Sequence, residues 1–484
     1  MKFLRNHFIN GLMILLTVRI GLIGLLSVPH LLMAQAATDL PALKNFILII
    51  GDGMGYNAIQ ATDFYQGARQ PFEEFPVRLA VSTYPAKAGE NKTENPLTND
   101  QSGSYDPDKA WKDTGYVRKN VTESSAAATA LATGVKTYNS AIGMSVGFDT
   151  LLNLVEIAKS VGKSAGVVTT VPFSHATPAA FVAHNKSRSN YSQIAFAMLF
   201  NSRCDLIMGC GNPQYDDDGR LQEKKWKNTR YVGDSLLWVQ LVEGSGIRTQ
   251  FVVNGKQQVL QDSDGDGSPD PWTVIRDIGD FRALGNGPAP RRVLGCPEVY
   301  STLQQSRSPK SGETRDSQPF FTPYLNSVPS LAEMVQGALN VLGQNPRGFF
   351  LMIEAGAIDW AEHDKQKGRL IEEMTGLTKA VRTIVEWVGK NSNWEETLVV
   401  VTADHESGYL WGGLPFTPLR SNGPGKLPVM KFNSTDHTNS LVPFFAKGAG
   451  SEMFRNYADE LDPERGPYIQ NTEIAGLIRL LWLK

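Results

Sequence analysis

Five apolar runs constrain the fold of this chain more than any other feature of its sequence. Each run is rich in β-branched and aliphatic residues and precedes a segment of helical periodicity; the runs cover residues 45–52, 164–171, 204–209, 347–356 and 396–404. Strands that are apolar on both faces and alternate with helices are typical of parallel sheets. The sequence therefore predicts an α/β fold, in which a central, mainly parallel β-sheet is sandwiched by helices.

Acidic residues stand at the ends of three of these runs. Asp52, Glu354 and Asp404 lie at or beside the carboxyl ends of the first, fourth and fifth runs. Ligands of open α/β sheets gather beyond the carboxyl ends of the strands. We therefore expect these carboxylates to converge on one site at one edge of the sheet.

The composition excludes a general affinity for polyanions. The chain has 484 residues, 41% of them hydrophobic, and a formal net charge of -2. That length supports one large or two medium globular domains with a substantial core. Because the net charge creates no field that would attract nucleic acid or acidic lipid, we expect no nucleic-acid specificity, and any anion must be recognised locally.

The N-terminal segment has the features of a secretory signal. Lys2 and Arg5 precede an apolar stretch, and Ala34-Gln35-Ala36 offers a small-x-small cleavage site. We predict that residues 1–36 are a signal peptide, that the mature protein is periplasmic or secreted, and that no stable membrane span remains after cleavage. Since Arg19 interrupts a stretch that is long for a signal, an uncleaved anchor is the alternative.

The remaining residues, 37–484, are predicted to form one catalytic domain. Within it, residues 211–330 carry proline, glycine and charged clusters with few strand signals, which favours a large insertion or cap. Residues 85–115 are polar and rich in glycine, asparagine and aspartate, as surface loops are. The run 474–484 has the pattern of an amphipathic helix that packs on the body of the protein.

An acidic segment in the 211–330 region resembles the first half of a calcium loop. Residues 262–270, DSDGDGSPD, alternate acids with glycines, and the acids are Asp262, Asp264, Asp266 and Asp270. Gly267 stands at the sixth position of the pattern, but the twelfth holds Thr273 instead of Glu. The match is partial, so a Ca²⁺ site and a solvated acidic turn are both open.

Three cysteines leave two alternatives. In an exported protein Cys204 and Cys210 could form a local disulfide, with Cys296 unpaired. Three buried thiols are the other possibility.

Histidines occur beside aspartates in three places. His363, His405 and His437 each lie within four residues of an acid, and these acids are Asp359, Asp404 and Asp436. Imidazole and carboxylate together suit zinc, which takes three or four such ligands and keeps an open position in catalytic sites. Asp359 and His363 are four residues apart, so on a helix they face one ion. Glu354, still on the strand, can serve a neighbouring site.

Hydroxyl groups stand at the start of an alanine-rich helix. The segment 121–134 is predicted to form a short helix that ends at Gly134, with Thr122, Ser124 and Ser125 at its N-terminus. Unpaired N–H groups and the helix dipole at such an N-terminus favour both an alkoxide and a bound phosphate.

The ordered motifs resemble those of the alkaline phosphatases. They are GDGMG, TESSAAATALATGVKTYN, HATPAAFVAHNKSR, EAGAIDWAEH, TADHESG and DHTNS, and they extend from about residue 45 to 446. The resemblance implies the family's fold, hydrolysis of small phosphate monoesters through a phosphoserine, and two zinc ions with usually one magnesium ion. It also implies a homodimer, which is common in the family.

Carried over by position, the resemblance assigns three metal sites. Asp359, His363 and His437 would hold the first Zn²⁺, and Asp52, Asp404 and His405 the second. A third ion, normally Mg²⁺, would be held by Asp52, Thr177 and Glu354. Ser124 would be the nucleophile and Arg188 the bidentate phosphate clamp.

The sequence departs from the best-known bacterial pattern in three places. Glu123-Ser124-Ser125 stands where Asp-Ser-Ala is usual, so Ser125 is the alternative nucleophile. His175 replaces a common Asp two residues before Thr177, and Trp360 replaces a common Lys. His175 could tune the third site, ligate its metal or be structural, and His184 is expected to be structural.

Two other functions compete with this one. A related two-metal hydrolase would act on phosphodiesters or phosphonates, but an arginine clamp with a third cation suits the more highly charged monoester. A secreted calcium-dependent binding protein would have residues 262–270 as its main feature and a degenerate phosphatase site, but every expected ligand type is present. If metal-activated oxygens carry the reaction, activity rises toward alkaline pH.

Overall fold

Seventeen strands are found in the computed structural model, which describes residues 41–86, 105–223, 226 and 228–483. They are β1 (Asn45–Gly51), β2 (Val77–Ser82), β3 (Ser164–Pro172), β4 (Leu206–Cys210), β5 (Gln250–Val253), β6 (Lys256–Val259), β7 (Thr273–Ile275), β8 (Val293–Gly295), β9 (Phe349–Ala355), β10 (Thr397–Thr402), β11 (Glu406–Ser407), β12 (Leu410–Trp411), β13 (Lys431–Phe432), β14 (His437–Thr438), β15 (Val442–Gly448), β16 (Glu460–Asp462) and β17 (Gly466–Gln470).

Twelve α-helices accompany them in the same ranges of the chain. They are α1 (Tyr56–Gln66), α2 (Pro107–Ala110), α3 (Ser124–Thr133), α4 (Leu154–Ser160), α5 (Ala176–Val182), α6 (Tyr191–Phe196), α7 (Ser235–Glu243), α8 (Ile278–Asn286), α9 (Leu331–Leu342), α10 (Ala357–His363), α11 (Lys367–Asn391) and α12 (Thr472–Trp482).

Eleven of the described strands form one sheet, in the order β16-β17-β2-β15-β10-β1-β9-β3-β4-β8-β7. From β10 to β7 every neighbouring pair is parallel, and β15 is antiparallel to β10 and β2. The mainly parallel sheet with flanking helices confirms the predicted fold class.

The five apolar runs become β1, β3, β4, β9 and β10, which are adjacent in the centre of the sheet. Every residue of β1, β9 and β10 is buried. Helices α4, α5, α9 and α11 pack on these strands, so both faces of the sheet require apolar side chains. The central strands are therefore continuously apolar, and this composition makes them recognisable in the sequence.

Residues 211–330 contribute to the sheet as well as lying outside it. β7 and β8 add two parallel strands beside β4, whereas β5 and β6 form a separate two-stranded sheet. Three-residue strands carry too little periodicity to be recognised in a sequence. The cap or insertion stays a prediction for the parts of this region that lie outside the sheet.

Helix α12 confirms the amphipathic helix expected near the C-terminus. Its buried face includes Ile474, Leu477 and Ile478. Trp482 at its end contacts Phe46 of β1, with ring centroids 6.3 Å apart, and its indole N–H donates to Leu43 O at 2.9 Å.

Two expectations fall wholly or partly on residues that the structure does not describe. The predicted signal peptide, 1–36, lies outside the described residues, as does most of the polar loop predicted at 85–115. Among the helices that are described, none is long and apolar enough to cross a membrane.

Candidate active site

Parallel pairing brings the predicted acids to one edge of the sheet. Ile50 of β1 lies opposite Glu354 on β9 and opposite Thr402 on β10. Asp52 follows β1, and Asp404 follows β10. The three carboxylates therefore lie side by side beyond or at the strand ends, and each is at most 1% exposed.

One group of predicted ligands consists of Asp359, His363 and His437, whose ligating atoms lie within 4.8 Å of one another. Asp359 Oδ1 is 3.2 Å from His363 Nε2, one turn further along α10, and 3.4 Å from His437 Nε2. Backbone carbonyls hold both rings, because Thr435 O is 2.6 Å from His363 Nδ1 and Thr122 O is 2.9 Å from His437 Nδ1. Each ring thus presents Nε2 to a common point.

A second group adjoins the first. His405 Nε2 lies 3.5 Å from Asp52 Oδ1 and 3.2 Å from Asp404 Oδ2. Its fully buried ring stacks on His437, with centroids 3.7 Å apart. Asp52, Asp359 and His405 also have ligating atoms within 4.8 Å of one another, so Asp359 borders both groups. The two predicted ligand sets are neighbours at one edge.

The predicted third set consists of oxygen donors only. Thr177 lies in the first turn of α5, after β3, and Glu354 lies on the adjacent β9; both are fully buried. Thr169 donates a hydrogen bond to Glu354 Oε2. Glu354 Oε1, Thr177 Oγ1 and Asp52 Oδ1 are buried without a hydrogen-bond partner in the described part of the chain. Oxygen donors of this kind suit Mg²⁺.

The buried carboxyl groups of this site are unfavourable as anions unless a positive charge is added. Burial, together with the charges of Asp404 and Asp359, raises the pKa of Asp52 well above its usual range. Burial also raises the pKa of Glu354 and of Asp404 to about 7. Buried carboxylates without a compensating cation are strongly unfavourable. Since unpartnered oxygens and imidazole nitrogens converge here, the residues fit divalent cations.

Histidine contacts act in the opposite direction on Asp359. Burial by itself would raise the pKa of this carboxyl group, but hydrogen bonds and charge from His363 and His437 lower it well below its usual range. Burial also works against a charged His363, but its hydrogen bond to Asp359 and the charge of that carboxylate raise the pKa of His363 to about 9.

Ser124 is the first residue of α3, and its hydroxyl faces the ligand groups. Ser124 Oγ lies 3.3 Å from His405 Nε2. Ser125 is fully buried, and its hydroxyl donates to the side chain of Glu123, which caps the helix. The helix ends at Gly134 with φ 73°, as the sequence predicted. The geometry favours Ser124 over Ser125 as the reactive hydroxyl.

Arg188 is oriented by an acidic neighbour of Ser124. Its Nη1 donates to Glu123 Oε2. Glu123 is also held by the backbone N–H of Ser140 at 2.5 Å. Although burial works against it, the Arg188 guanidinium lowers the pKa of Glu123, so the carboxylate stays charged. The Glu123 side chain therefore holds Arg188 beside the N-terminus of α3, where Ser124 lies.

His175 contacts aromatic rings beside the third set. Its ring lies 5.9 Å from that of Tyr191 and 5.6 Å from that of Trp360. Burial lowers the pKa of His175 to about 3, which favours the neutral ring. His184 instead bonds Gly143 O at 2.9 Å and Glu156 at 3.0 Å, as expected of a structural histidine.

Two residues of the site were not identified from the sequence. Ser407 donates to Asp359 Oδ1 at 2.5 Å and lies 3.4 Å from His405 Nδ1. The sequence offered one signal for Ser407: it follows His405 by two residues in a short extended segment, and residues two apart in a strand lie on the same face. Gly53 has φ 82°, and a Cβ there would lie 2.9 Å from Asp359 Cα. Only glycine lets the Asp52 turn approach α10 this closely.

The acidic segment 262–270 forms a compact turn. Ligating atoms of Asp262, Asp264 and Asp270 lie within 4.8 Å of one another. Arg291 pairs with Asp264 at 2.7 Å and with Asp266 at 3.5 Å, so an arginine already supplies positive charge there. A Ca²⁺ ion at this turn stays a prediction.

The three cysteines are free thiols, and all are buried. The alternative of a disulfide between Cys204 and Cys210 is therefore wrong. Their sulfurs bond separate carbonyls: Cys204 Sγ donates to Ala165 O at 3.4 Å, and Cys210 Sγ to Thr170 O at 3.3 Å. Burial raises the pKa of both thiols, so neither is a thiolate.

Comparisons with known structures support the fold. Alkaline phosphatase from the Antarctic bacterium TAB5 has a TM-score of 0.59 at 23% identity and covers 91% of this chain and 99% of its own. The cold-active enzyme from a Shewanella species has a TM-score of 0.61 at 23% identity, with 91% and 100% covered. One mutant of the TAB5 enzyme has magnesium bound in a site called M3.

Comparisons with known sequences identify the family. The alkaline phosphatase family model matches residues 43–460. Alkaline phosphatase of Escherichia coli (strain K12) is 30% identical over 458 residues, covering 88% of this chain and 86% of that protein. Alkaline phosphatase 4 of Bacillus subtilis (strain 168) is 28% identical over 492 residues, covering 88% of each. The chain therefore belongs to the alkaline phosphatase family, whose members are metal-dependent phosphomonoesterases.

Proposed function

We propose that this chain hydrolyses phosphate monoesters through a phosphoserine formed on Ser124, with two zinc ions and one magnesium ion. The observation that carries the proposal is the position of Ser124 Oγ, 3.3 Å from His405 Nε2, where two carboxylate–imidazole groups meet. A hydroxyl beside such groups is suited to nucleophilic attack on phosphorus.

The residues would divide the metals among three sets. One zinc would be held by Asp359, His363 and His437, and the other by Asp52, Asp404 and His405; magnesium would be held by Asp52, Thr177 and Glu354. Bound there, the cations supply positive charge and Lewis acidity to the oxygens of serine, water and phosphate.

The chain's own groups position the reaction. Ser124 Oγ bonds to phosphorus while the bond to the leaving oxygen breaks; water then displaces the serine oxygen and releases phosphate. Arg188 donates two parallel N–H groups to non-bridging oxygens, and Glu123 holds the guanidinium in the required plane. The N-terminus of α3 adds N–H dipoles near the incoming phosphate.

Two substrates and one variant test this proposal. The purified protein should contain zinc and should hydrolyse p-nitrophenyl phosphate faster than bis-p-nitrophenyl phosphate; faster turnover of the diester would favour a phosphodiesterase. Ser124→Ala should abolish steady turnover while zinc content is unchanged. Ser125→Ala is the matched control and should retain the phosphoserine step. Retained turnover in Ser124→Ala would place the nucleophile elsewhere.

We also propose that the enzyme is exported, as a periplasmic or secreted protein. The charged start and the apolar stretch within residues 1–36 support this, and so does the Ala34-Gln35-Ala36 site. N-terminal sequencing of the exported enzyme should begin at Ala37; a retained Met1 would indicate an anchor instead. A homodimer also remains a prediction, and sedimentation velocity tests it.

A further inference from the structure

The segment 119–123 leads into α3, the helix that begins with Ser124, and it forms neither helix nor strand. Asn120 has a φ of 51°, in the left-handed region, so the chain bends sharply there. Such a segment has no backbone ladder of its own, and other groups must satisfy its N–H and C=O groups. The position of Ser124 therefore depends on those groups.

Asn439 bonds several backbone groups of this segment and is fully buried. Its Nδ2 donates to Lys119 O at 2.9 Å and to Asn120 O at 3.2 Å. Its Oδ1 accepts the backbone N–H of Thr122 at 3.2 Å, and its own backbone N–H donates to Val117 O at 2.7 Å. An amide combines two donors with an acceptor, whereas the similarly sized side chains of aspartate and leucine do not, so neither could make this set of bonds.

A second asparagine holds the same segment from the loop that follows α3. Asn139 Nδ2 donates to Val121 O at 2.9 Å, and its Oδ1 accepts the backbone N–H of Glu123 at 3.2 Å. This side chain is exposed, so water can replace the bonds that it makes. Of the two asparagines, Asn439 is therefore the one whose loss leaves backbone groups without a substitute partner.

Asn439 also belongs to the part of the chain that carries a proposed zinc ligand. It directly follows β14, whose first residue is His437. His437 Nδ1 lies 2.9 Å from Thr122 O, so Thr122 is bonded through its N–H to Asn439 and through its C=O to His437. Ser124 lies two residues further along the chain. Thr122 therefore connects the zinc ligand to the nucleophile, and Asn439 holds Thr122 in place.

We propose that Asn439 is a positioning residue, which fixes Ser124 relative to the His437 ring by holding Thr122. This inference rests on the proposed phosphomonoesterase function and adds a residue to its site. Asn439 acts through Thr122 and does not touch the reacting atoms. Because a catalytic group displaced by about 1 Å can lose about a hundredfold in rate, the effect of removing Asn439 should fall on phosphoserine formation as well as on zinc affinity.

Zinc affinity separates the two asparagines. In Asn439→Ala the carbonyl that holds the His437 ring loses its own support, so the dissociation constant of one zinc ion, measured by chelator competition, should rise about tenfold. Asn139→Ala removes bonds to the same segment, but Asn139 has no connection to β14, and zinc affinity should stay within about twofold of wild type. Equal losses in both variants would overturn the role of Asn439, because its connection to β14 would then make no difference.

Single turnovers at saturating zinc measure the effect on the nucleophile. With p-nitrophenyl phosphate and an acid quench, phosphoserine should form about tenfold more slowly in Asn439→Ala. The substrate concentration for the half-maximal rate should change little, because Arg188 keeps its bond to Glu123. A rate constant within about twofold of wild type overturns the inference, and so does a loss confined to substrate affinity.

Asn45→Ala is the control for stability. Asn45 is a buried asparagine at the start of β1, and its Nδ2 bonds Thr397 Oγ1 at 3.0 Å and Ser392 Oγ at 3.2 Å. This variant should lower Tm but leave zinc affinity and phosphoserine formation unchanged, in assays run well below the lowest Tm. If Asn45→Ala slows phosphoserine formation as much as Asn439→Ala does, the effect is one of stability and the inference fails.

The same measurements separate this inference from the proposed function. If the wild-type enzyme forms no phosphoserine, the proposed function fails, but the contrast in zinc affinity between Asn439→Ala and Asn139→Ala still decides whether Asn439 holds the zinc ligand. If the wild-type enzyme forms phosphoserine on Ser124 and Asn439→Ala equals it in rate and zinc affinity, the proposed function stands and the positioning role is refuted.

Discussion

Ser407→Ala offers the sharpest test of how the ligand groups are held. The fully buried Ser407 hydroxyl donates to Asp359 Oδ1 at 2.5 Å and lies 3.4 Å from His405 Nδ1. It therefore touches one residue from each proposed zinc set. Alanine removes only this hydroxyl, so the ligands stay in place but lose a shared restraint.

The size of the effect follows from the type of hydrogen bond. A hydrogen bond to a charged group contributes about 1.5–3 kcal/mol. Divided by about 1.4 kcal/mol per factor of ten, this corresponds to a loss of roughly ten- to a hundredfold in zinc affinity or kcat/KM. Burial puts the expected value in the upper part of that range, since no water can replace the lost donor.

Chelator competition and steady-state kinetics measure the two quantities separately. The zinc dissociation constant should rise in Ser407→Ala, and added zinc should restore part of the lost activity. Ser202→Ala is the control for stability, because Ser202 is also buried and its hydroxyl bonds Met198 O at 2.6 Å. Zinc affinity and kcat/KM within twofold of wild type would refute the positioning role of Ser407.

Three other predictions concern metals, pH and buried charge. Removing metals with a chelator should abolish phosphatase activity and lower Tm, and zinc with magnesium should restore both; activity that survives metal removal would contradict the proposed centre. Burial lowers the pKa of Lys136 to about 7 from 10.5, so the folded state binds this proton less tightly than the unfolded chain. Stability due to Lys136 therefore rises between those pH values, and Lys136→Met should exceed wild type in urea stability at pH 6 by more than at pH 9.5; a difference that does not depend on pH would be evidence against this. Asp205→Asn breaks a buried pair with Lys159, 2.6 Å long, and should cost about 3–5 kcal/mol in urea unfolding. Asp108→Asn, in an exposed pair with Lys112, should cost under about 1 kcal/mol, and equal losses would contradict the burial argument.

The central strands were predictable because their whole surface is buried. The run 45–52 became β1 (Asn45–Gly51), and the run 396–404 became β10 (Thr397–Thr402). By contrast β2 has an exposed arginine, Arg78, within an otherwise buried strand, and β7 and β8 have three residues each. Strands near the edge of a sheet carry a weaker pattern, so their membership depends on pairing that a local pattern does not encode.

The local part of the site was also predictable. Asp359 and His363 face the same point because a helix places residues four apart on one face. His437 joins them through tertiary contacts, because its strand β14 pairs with β11 and Thr122 O, in a distant part of the chain, holds its Nδ1. The choice between Ser124 and Ser125 likewise depended on Glu123, which engages Ser125 and leaves Ser124 toward His405.

The sequence by itself determined which side chains could act and which segments would be the central strands, because burial patterns and helix geometry are local properties. The resemblance of its ordered motifs also identified the family. Only the tertiary structure decided which partners each side chain has: Ser407 beside Asp359, Arg291 at the acidic turn, and three separate thiols in place of a disulfide. These outcomes depend on distances between residues far apart in the chain, and such distances are set by the packing of the whole sheet.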